Sequence, residues 1–391
     1  MSRLTRGRFL AAGALGASAA LGGLGIDRAL SGGDAAREAV VPFHGEHQAG
    51  IATPAQERLH FAAFDLADGG RTELRELLRA WTDAAARMCA GEPVGETSDR
   101  LRPPIDTGEA VGLRPARLTL TFGFGPSLFE RVGLPRPGAL RPLPAFPGDE
   151  LETERCDGDL AVQACADDPQ VAFHAVRNLA RIGRGQVAMR WSQLGFGRTS
   201  STSRAQETPR NLMGFKDGTN NLKLEDEESL ARHVWAAEPE WLRGGTYMVT
   251  RRIRMLIEVW DRASLDDQER TIGRRKASGA PLSKTAEFEP VELTAIPADA
   301  HVKLAAPAEN SGTRILRRGY SFTDGMDTEL GQLDAGLFFV SFQRDPADFV
   351  RLQQRLAEAD ALNEYIKHTG SALFAVPRGV RPGGYVGDAL I

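Results

Sequence analysis

Two Asp-Pro pairs, Asp168-Pro169 and Asp345-Pro346, constrain the fold of this chain more than any other feature. Each follows or closely trails an apolar strand-like run and opens a helical pattern. An aspartate caps the free N–H groups at a helix start, and proline suits the first helical position. Before the first pair the order is strand (59–66), helix (72–90), strand (117–123), short helix (126–132) and strand (159–165). Leu74, Leu77, Leu78, Trp81 and Ala85 share one face of the first helix. After the pair come a helix through Val171, Ala175, Leu179 and Ile182, then a strand over 186–191. That order is close to a ferredoxin-like split βαβ unit with an inserted connection. The second half repeats the layout: strand 247–260, helix 264–272, strands 320–322 and 336–342, a capped helix through Phe349, Leu352 and Leu356, and strand 372–376. The expected fold is α+β, a duplication of ferredoxin-like domains with antiparallel sheets, as in dimeric α+β barrels. Expected boundaries are 1–45 for a leader, 46–215 for the first domain and 216–391 for the second, with order beginning near Pro54.

The 391 residues, 42% apolar, supply enough core for two domains. A net charge of −4 and the lack of any Lys/Arg run give no reason to expect a nucleic-acid partner. Cys89, Cys156 and Cys165 are scattered, with no CxxC or CxxCH. Zinc-ribbon, dithiol and c-type haem chemistry are thereby excluded. The N-terminus has a different character. Arg3, Arg6 and Arg8 precede the uncharged, Ala/Gly/Leu-rich run from Phe9 to Ile26. That run is short and weakly apolar for a membrane span and suits an export signal, with ordinary secretion and an uncleaved anchor as the alternatives. Arg6-Gly7-Arg8-Phe9-Leu10 resembles the twin-arginine pattern, with Gly7 interrupting the pair. The expectation is export through the twin-arginine machinery to an extracellular, periplasmic or cell-envelope location.

The segment Gly214-Phe215-Lys216-Asp217-Gly218-Thr219-Asn220-Asn221 sets one acid between two glycines. Glycine permits close backbone approach, so an acid held there could face a ligand; a plain turn is the alternative. An EF-hand loop is ruled out because its sixth position is Leu222 rather than glycine. The seven histidines form no HExxH or other zinc spacing. A histidine-based metal centre would then need distant partners or a macrocycle, and haem requires only one axial histidine, whose other nitrogen usually meets a carboxylate or carbonyl. His301 is a candidate. Downstream lie Arg314, Arg317 and Arg318. In a continuous strand Arg314 and Arg318 share one face, and Arg317 points the other way with Ile315.

These segments together resemble the dye-decolourising peroxidase family, in particular its secreted, twin-arginine branch. The resemblance spans nearly the whole mature chain. It includes Thr53 through Phe64, Phe122 through Phe129, Gly158 through Gln170, Trp260-Asp261-Arg262, Gly279 through Ser283, and Arg314 through Phe322. The family's GxxDG motif stands here as Gly214-Phe215-Lys216-Asp217-Gly218. The resemblance implies one non-covalent haem b in the C-terminal domain. It implies Asp217 as distal acid and base, Arg317 as the charge-stabilising arginine (Arg318 if the register slips by one), and His301 as axial iron ligand. Gly218, Thr219 and Asn220 would lie along the haem, and Glu364 would be the acid on the far nitrogen of His301. The implied partners are hydrogen peroxide and reducing donors such as dyes or phenolics, and a homo-oligomer is compatible with it. A deferrochelatase-like removal of iron from haem and a non-enzymatic haem carrier are the alternatives.

Overall fold

The computed structural model describes residues 39–67, 69–328 and 330–391. The twin-arginine-like segment lies outside the described residues. No helix among the described residues is long and apolar enough to cross a membrane.

In the N-terminal half the strands are β1 (Arg58–Leu66), β2 (Thr119–Phe124), β3 (Leu160–Ala166) and β4 (Val187–Arg198). The C-terminal half contributes β5 (Thr246–Met255), β6 (Leu316–Arg317), β7 (Tyr320–Asp327), β8 (Gln332–Gln343) and β9 (Ile366–Val376). The N-terminal order is β2-β3-β1-β4, and the C-terminal order, through the β5–β8 pairing, is β7-β8-β5-β9. Numbered within each half, both are the ferredoxin-like order, and every ladder is antiparallel. The fold class expected from the sequence is therefore the one observed. Two short ladders join the halves: Phe124 opposite Ala375, and Phe196 and Arg198 opposite Ser321 and Tyr320. With these the sheet closes on itself as a barrel, which removes most exposed strand edges.

Strand period places the cores. Along β1, Leu59, Phe61 and Ala63 pack with Tyr320, Phe338, Phe342 and Phe374 in one cluster. The alternate residues Ala62, Phe64 and Leu66 pack with Leu74, Trp81, Phe122 and Leu179 against the helices Arg71–Cys89 and Pro169–Ile182. A third, smaller cluster of Met213, Phe215, Met255, Trp260, Ile272 and Leu362 lies under the loop that carries Asp217.

Several local expectations need correction. Ordered contacts begin well before Pro54: Phe43 is in the core, and the Gly45 N–H donates to Val380 O at 3.0 Å. The long strand expected over 247–260 ends at Met255, and Ile257–Trp260 is a short helix. Between the halves lies the short helix Glu227–His233, capped by Asp226. The stretch from Arg314 to Phe322 is not one continuous strand. β6 and β7 lie along the same side of β8 but are separated at Arg318 and Gly319. The three cysteines are free and buried.

Candidate active site

The Asp217 loop is shaped by its own packing. Gly214 and Gly218 have φ of +84° and +88°, the left-handed region that glycine tolerates. A Cβ on Gly218 would stand 2.9 Å from the Ser200 Cα, so only glycine fits there. The close approach that the sequence suggested is thus made to a neighbouring segment of the chain. The Asp217 N–H donates to Pro209 O at 2.9 Å, and the Asn221 N–H closes a turn onto Gly218 O at 3.0 Å.

Asp217 is held in an ion pair. Arg317 Nη1 donates to its Oδ1 at 2.6 Å, and the two side chains are 29% and 15% exposed. Among the described residues, Asp217 Oδ2 has only a long contact from Asn211 Nδ2, at 3.4 Å. This leaves one carboxylate oxygen open toward the cavity that Asp217 lines.

His301 opens the short helix His301–Leu304, after the fully buried Ala300. Its Nδ1–H donates to Asp360 Oδ2 at 2.6 Å. Asp360 is fixed in turn: it ends the helix Pro346–Ala359, and its Oδ1 accepts from the Leu362 N–H at 2.9 Å. The Asp360 side chain is 2% exposed, whereas His301 shows about a third of its ring surface to the cavity. Burial pulls the imidazole pKa down. The charge and hydrogen bond of Asp360 outweigh that, with help from Asp217, and the net displacement is upward. The partner is therefore Asp360 and not Glu364, which lies one turn further along in the short helix Ala361–Glu364.

Asp217, Gly218, Thr219, Asn220, His301 and Arg317 all line one cavity of about 630 Å³. Arg314 and Ile315 line it too, while Arg318 does not. The expected alternation of the three arginines fails because the strand breaks after Arg317. Arg318 is fully buried elsewhere, donating to Thr53 O and Gln56 Oε1. Arg317 lines the cavity and its neighbour Arg318 does not.

Sequence reasoning missed three groups. Asp360 orients His301. Glu287 accepts from Lys216 and, at 3.0 Å, from Thr219, the residues on either side of Asp217-Gly218. It thereby ties the segment around Phe288 over the cavity's edge. Asn221 contacts the backbone of Arg317. None has a local sequence signal, since each depends on a partner 59 or more residues away.

The residues fit a haem. Among the described residues no cluster of three or more His, Cys, Asp or Glu could hold a bare metal ion. A single histidine with a carboxylate-fixed Nδ1 leaves Nε2 as its one metal-binding atom, the arrangement a macrocyclic iron requires. The cavity volume is in the range of sites that enclose a cofactor-sized molecule.

Comparison with known proteins gives the same reading. Family models described as Dyp-type peroxidase, N-terminal, and Dyp-type peroxidase, C-terminal, match residues 48–197 and 208–381. The chain is 42% identical over 368 residues to a dye-decolorizing peroxidase of Thermobifida fusca, covering 88% of this chain and 83% of the relative. It is 38% identical over 375 residues to a deferrochelatase of Escherichia coli K12, covering 91% and 88%. A crystal structure of a DyP-type peroxidase from Streptomyces coelicolor superposes with a TM-score of 0.85 at 44% identity, covering 91% of this chain and 98% of that one. The chain belongs to the dye-decolourising (Dyp-type) peroxidase family and is a haem-dependent peroxidase.

Proposed function

We propose that the cavity holds one non-covalent haem b on His301 and that Asp217 and Arg317 divide the work on hydrogen peroxide. The observation that carries this reading is the meeting of all three side chains at one cavity, with Arg317 bonded to Asp217 Oδ1 and Oδ2 left open. Bound haem supplies the iron that exchanges two electrons with peroxide. His301 Nε2 is the atom that would hold that iron, and Asp360 keeps the imidazole oriented and electron-rich. Asp217 Oδ2 takes the proton from one peroxide oxygen and returns it to the other, which leaves as water. Arg317 offers a fixed cation where negative charge develops as the O–O bond breaks. Its guanidinium also keeps Asp217 turned toward the reacting atoms. Two one-electron donors, such as phenols or dyes, complete the cycle.

Export through the twin-arginine machinery is part of the same proposal, since that route carries folded, cofactor-loaded proteins. The test of the cofactor assignment is haem titration of wild type and His301→Ala, followed by absorbance. The expected result is one haem per wild-type chain and loss of the histidine-bound ferric spectrum in the variant. An unchanged spectrum in His301→Ala would remove His301 from the reading. Intact haem after many peroxide turnovers distinguishes a peroxidase from an iron-removing enzyme.

A further inference from the structure

β4 and β7 run antiparallel with Arg198 opposite Tyr320, and the Thr199 N–H donates to Gly319 O at 2.9 Å. Continued by three residues, that register would set Ser201 against Arg317. The chain leaves the ladder instead, and a side chain fills the place. Asn221 Oδ1 accepts from the Arg317 N–H at 2.8 Å, and Asn221 Nδ2 donates to Arg317 O at 2.8 Å. The same Nδ2 donates to Ser201 O at 3.1 Å. One amide thus satisfies both outward backbone groups of Arg317, in the way a neighbouring strand would. Asn221 is only 5% exposed, so these bonds do not compete with bulk water.

The loop 217–221 therefore grips one residue at both ends. Its first residue, Asp217, bonds the Arg317 side chain, and its last, Asn221, bonds the Arg317 main chain. The turn closed by the Asn221 N–H onto Gly218 O fixes the distance between the two grips. β6 is only two residues long, and its ladder to β8 holds just Leu316 and Arg317. Without Asn221 the backbone beneath Arg317 would be held on one side alone.

We propose that Asn221 is a positioning residue for the peroxide reaction: it sets the backbone of Arg317, and through it the guanidinium beside Asp217. The inference rests on the role given to Arg317 above. Arginine and aspartate alone could pair in many geometries, because the arginine side chain is long and flexible. Charge stabilisation in a developing transition state requires one geometry, and a misplacement of about 1 Å can cost a factor of roughly 100 in rate.

The test has two arms. In the haem-free protein, amide exchange is read at Arg317. Asn221→Ala should lose the protection of that amide, while Asn221→Asp, which keeps the acceptor and loses both donations, should retain most of it. In the haem-loaded protein, the rate constant for reaction with peroxide is compared for wild type, Asn221→Ala, Asn221→Asp, Arg317→Leu and the double variant Asn221→Ala/Arg317→Leu. Both Asn221 variants should slow the peroxide step, with the alanine the slower, and should leave haem content unchanged. The double variant should be no slower than Arg317→Leu, because Asn221 acts only through Arg317. If Asn221→Ala is too unstable to purify, Asn221→Asp carries both arms. Additive losses in the double variant would overturn the proposal, as would wild-type peroxide rates in both Asn221 variants beside a slow Arg317→Leu. A wild-type rate in Arg317→Leu would instead overturn the role of Arg317 itself, and the proposal with it.

Discussion

Asp360 Oδ2 stands 2.6 Å from His301 Nδ1, and its other oxygen is bonded to the Leu362 N–H. The carboxylate cannot turn away, so the imidazole is held by a fixed partner and not by a mobile one. Asp360→Asn should weaken haem binding by about 10- to 100-fold, the usual cost of losing a carboxylate behind a metal-bound histidine. Glu364→Gln should leave it unchanged. Absorbance titration with haem measures both, and equal affinities in the Asp360 and Glu364 variants would refute the pairing.

Glu287 anchors the cavity's edge. Its side chain is 9% exposed, accepts from Lys216 and Thr219, and its main-chain O accepts from Arg274 Nη1 at 3.0 Å. Glu287→Ala leaves Lys216 and Thr219 without their acceptor and should cost about 1–3 kcal/mol. Burial pushes the carboxyl pKa up, but Lys216, Thr208 and Thr219 outweigh it, and the net displacement is downward. The stability it adds is thus present above the ordinary glutamate range and lost as pH falls through the lowered value. Limited proteolysis should cut near Phe288 faster in Glu287→Ala than in wild type. Equal cleavage rates would show that the anchor does not hold this segment.

His60 links folding to pH. It lies buried on β1, stacked on Phe173 at 5.8 Å, and burial lowers its pKa from 6.5 to about 4. The unfolded chain takes up this proton first. The His60 contribution is therefore full above pH 6.5 and is lost as pH falls toward 4, by about 3 kcal/mol, beside a further loss at His368, whose pKa burial lowers to about 3. Denaturant unfolding at neutral and acid pH checks this: His60→Leu should flatten the acid decline. The same decline in wild type and His60→Leu would assign it to other groups.

The sequence made some of this architecture legible and hid the rest for physical reasons. The Asp168 and Asp345 caps were readable because capping is local; Asp168 Oδ1 accepts from the Gln170 N–H at 2.7 Å and Asp345 from the Ala347 N–H at 2.9 Å. The ferredoxin-like order followed from strand and helix periods. The particular backbone pairs that close the barrel did not, since only a few join the halves. A regular strand would place Arg318 on the face of Arg314. The break after Arg317, with the Arg318 N–H on Val340 O at 2.8 Å, carries no side-chain signature. Asp360 ends a helix and Asn221 closes a turn. Their second roles exist only once strands and helices distant in sequence have met.

In the proposed reaction Asp217 and Arg317 act together on peroxide above a haem held by His301. The most direct measurement is stopped-flow mixing of the ferric, haem-loaded protein with hydrogen peroxide, for wild type, Asp217→Ala and Arg317→Leu. Both variants should keep their haem and lose about 100-fold or more in the rate of the peroxide step, the scale of a lost proton-transfer group or fixed charge. Wild-type peroxide rates in both variants, with haem retained, would contradict it.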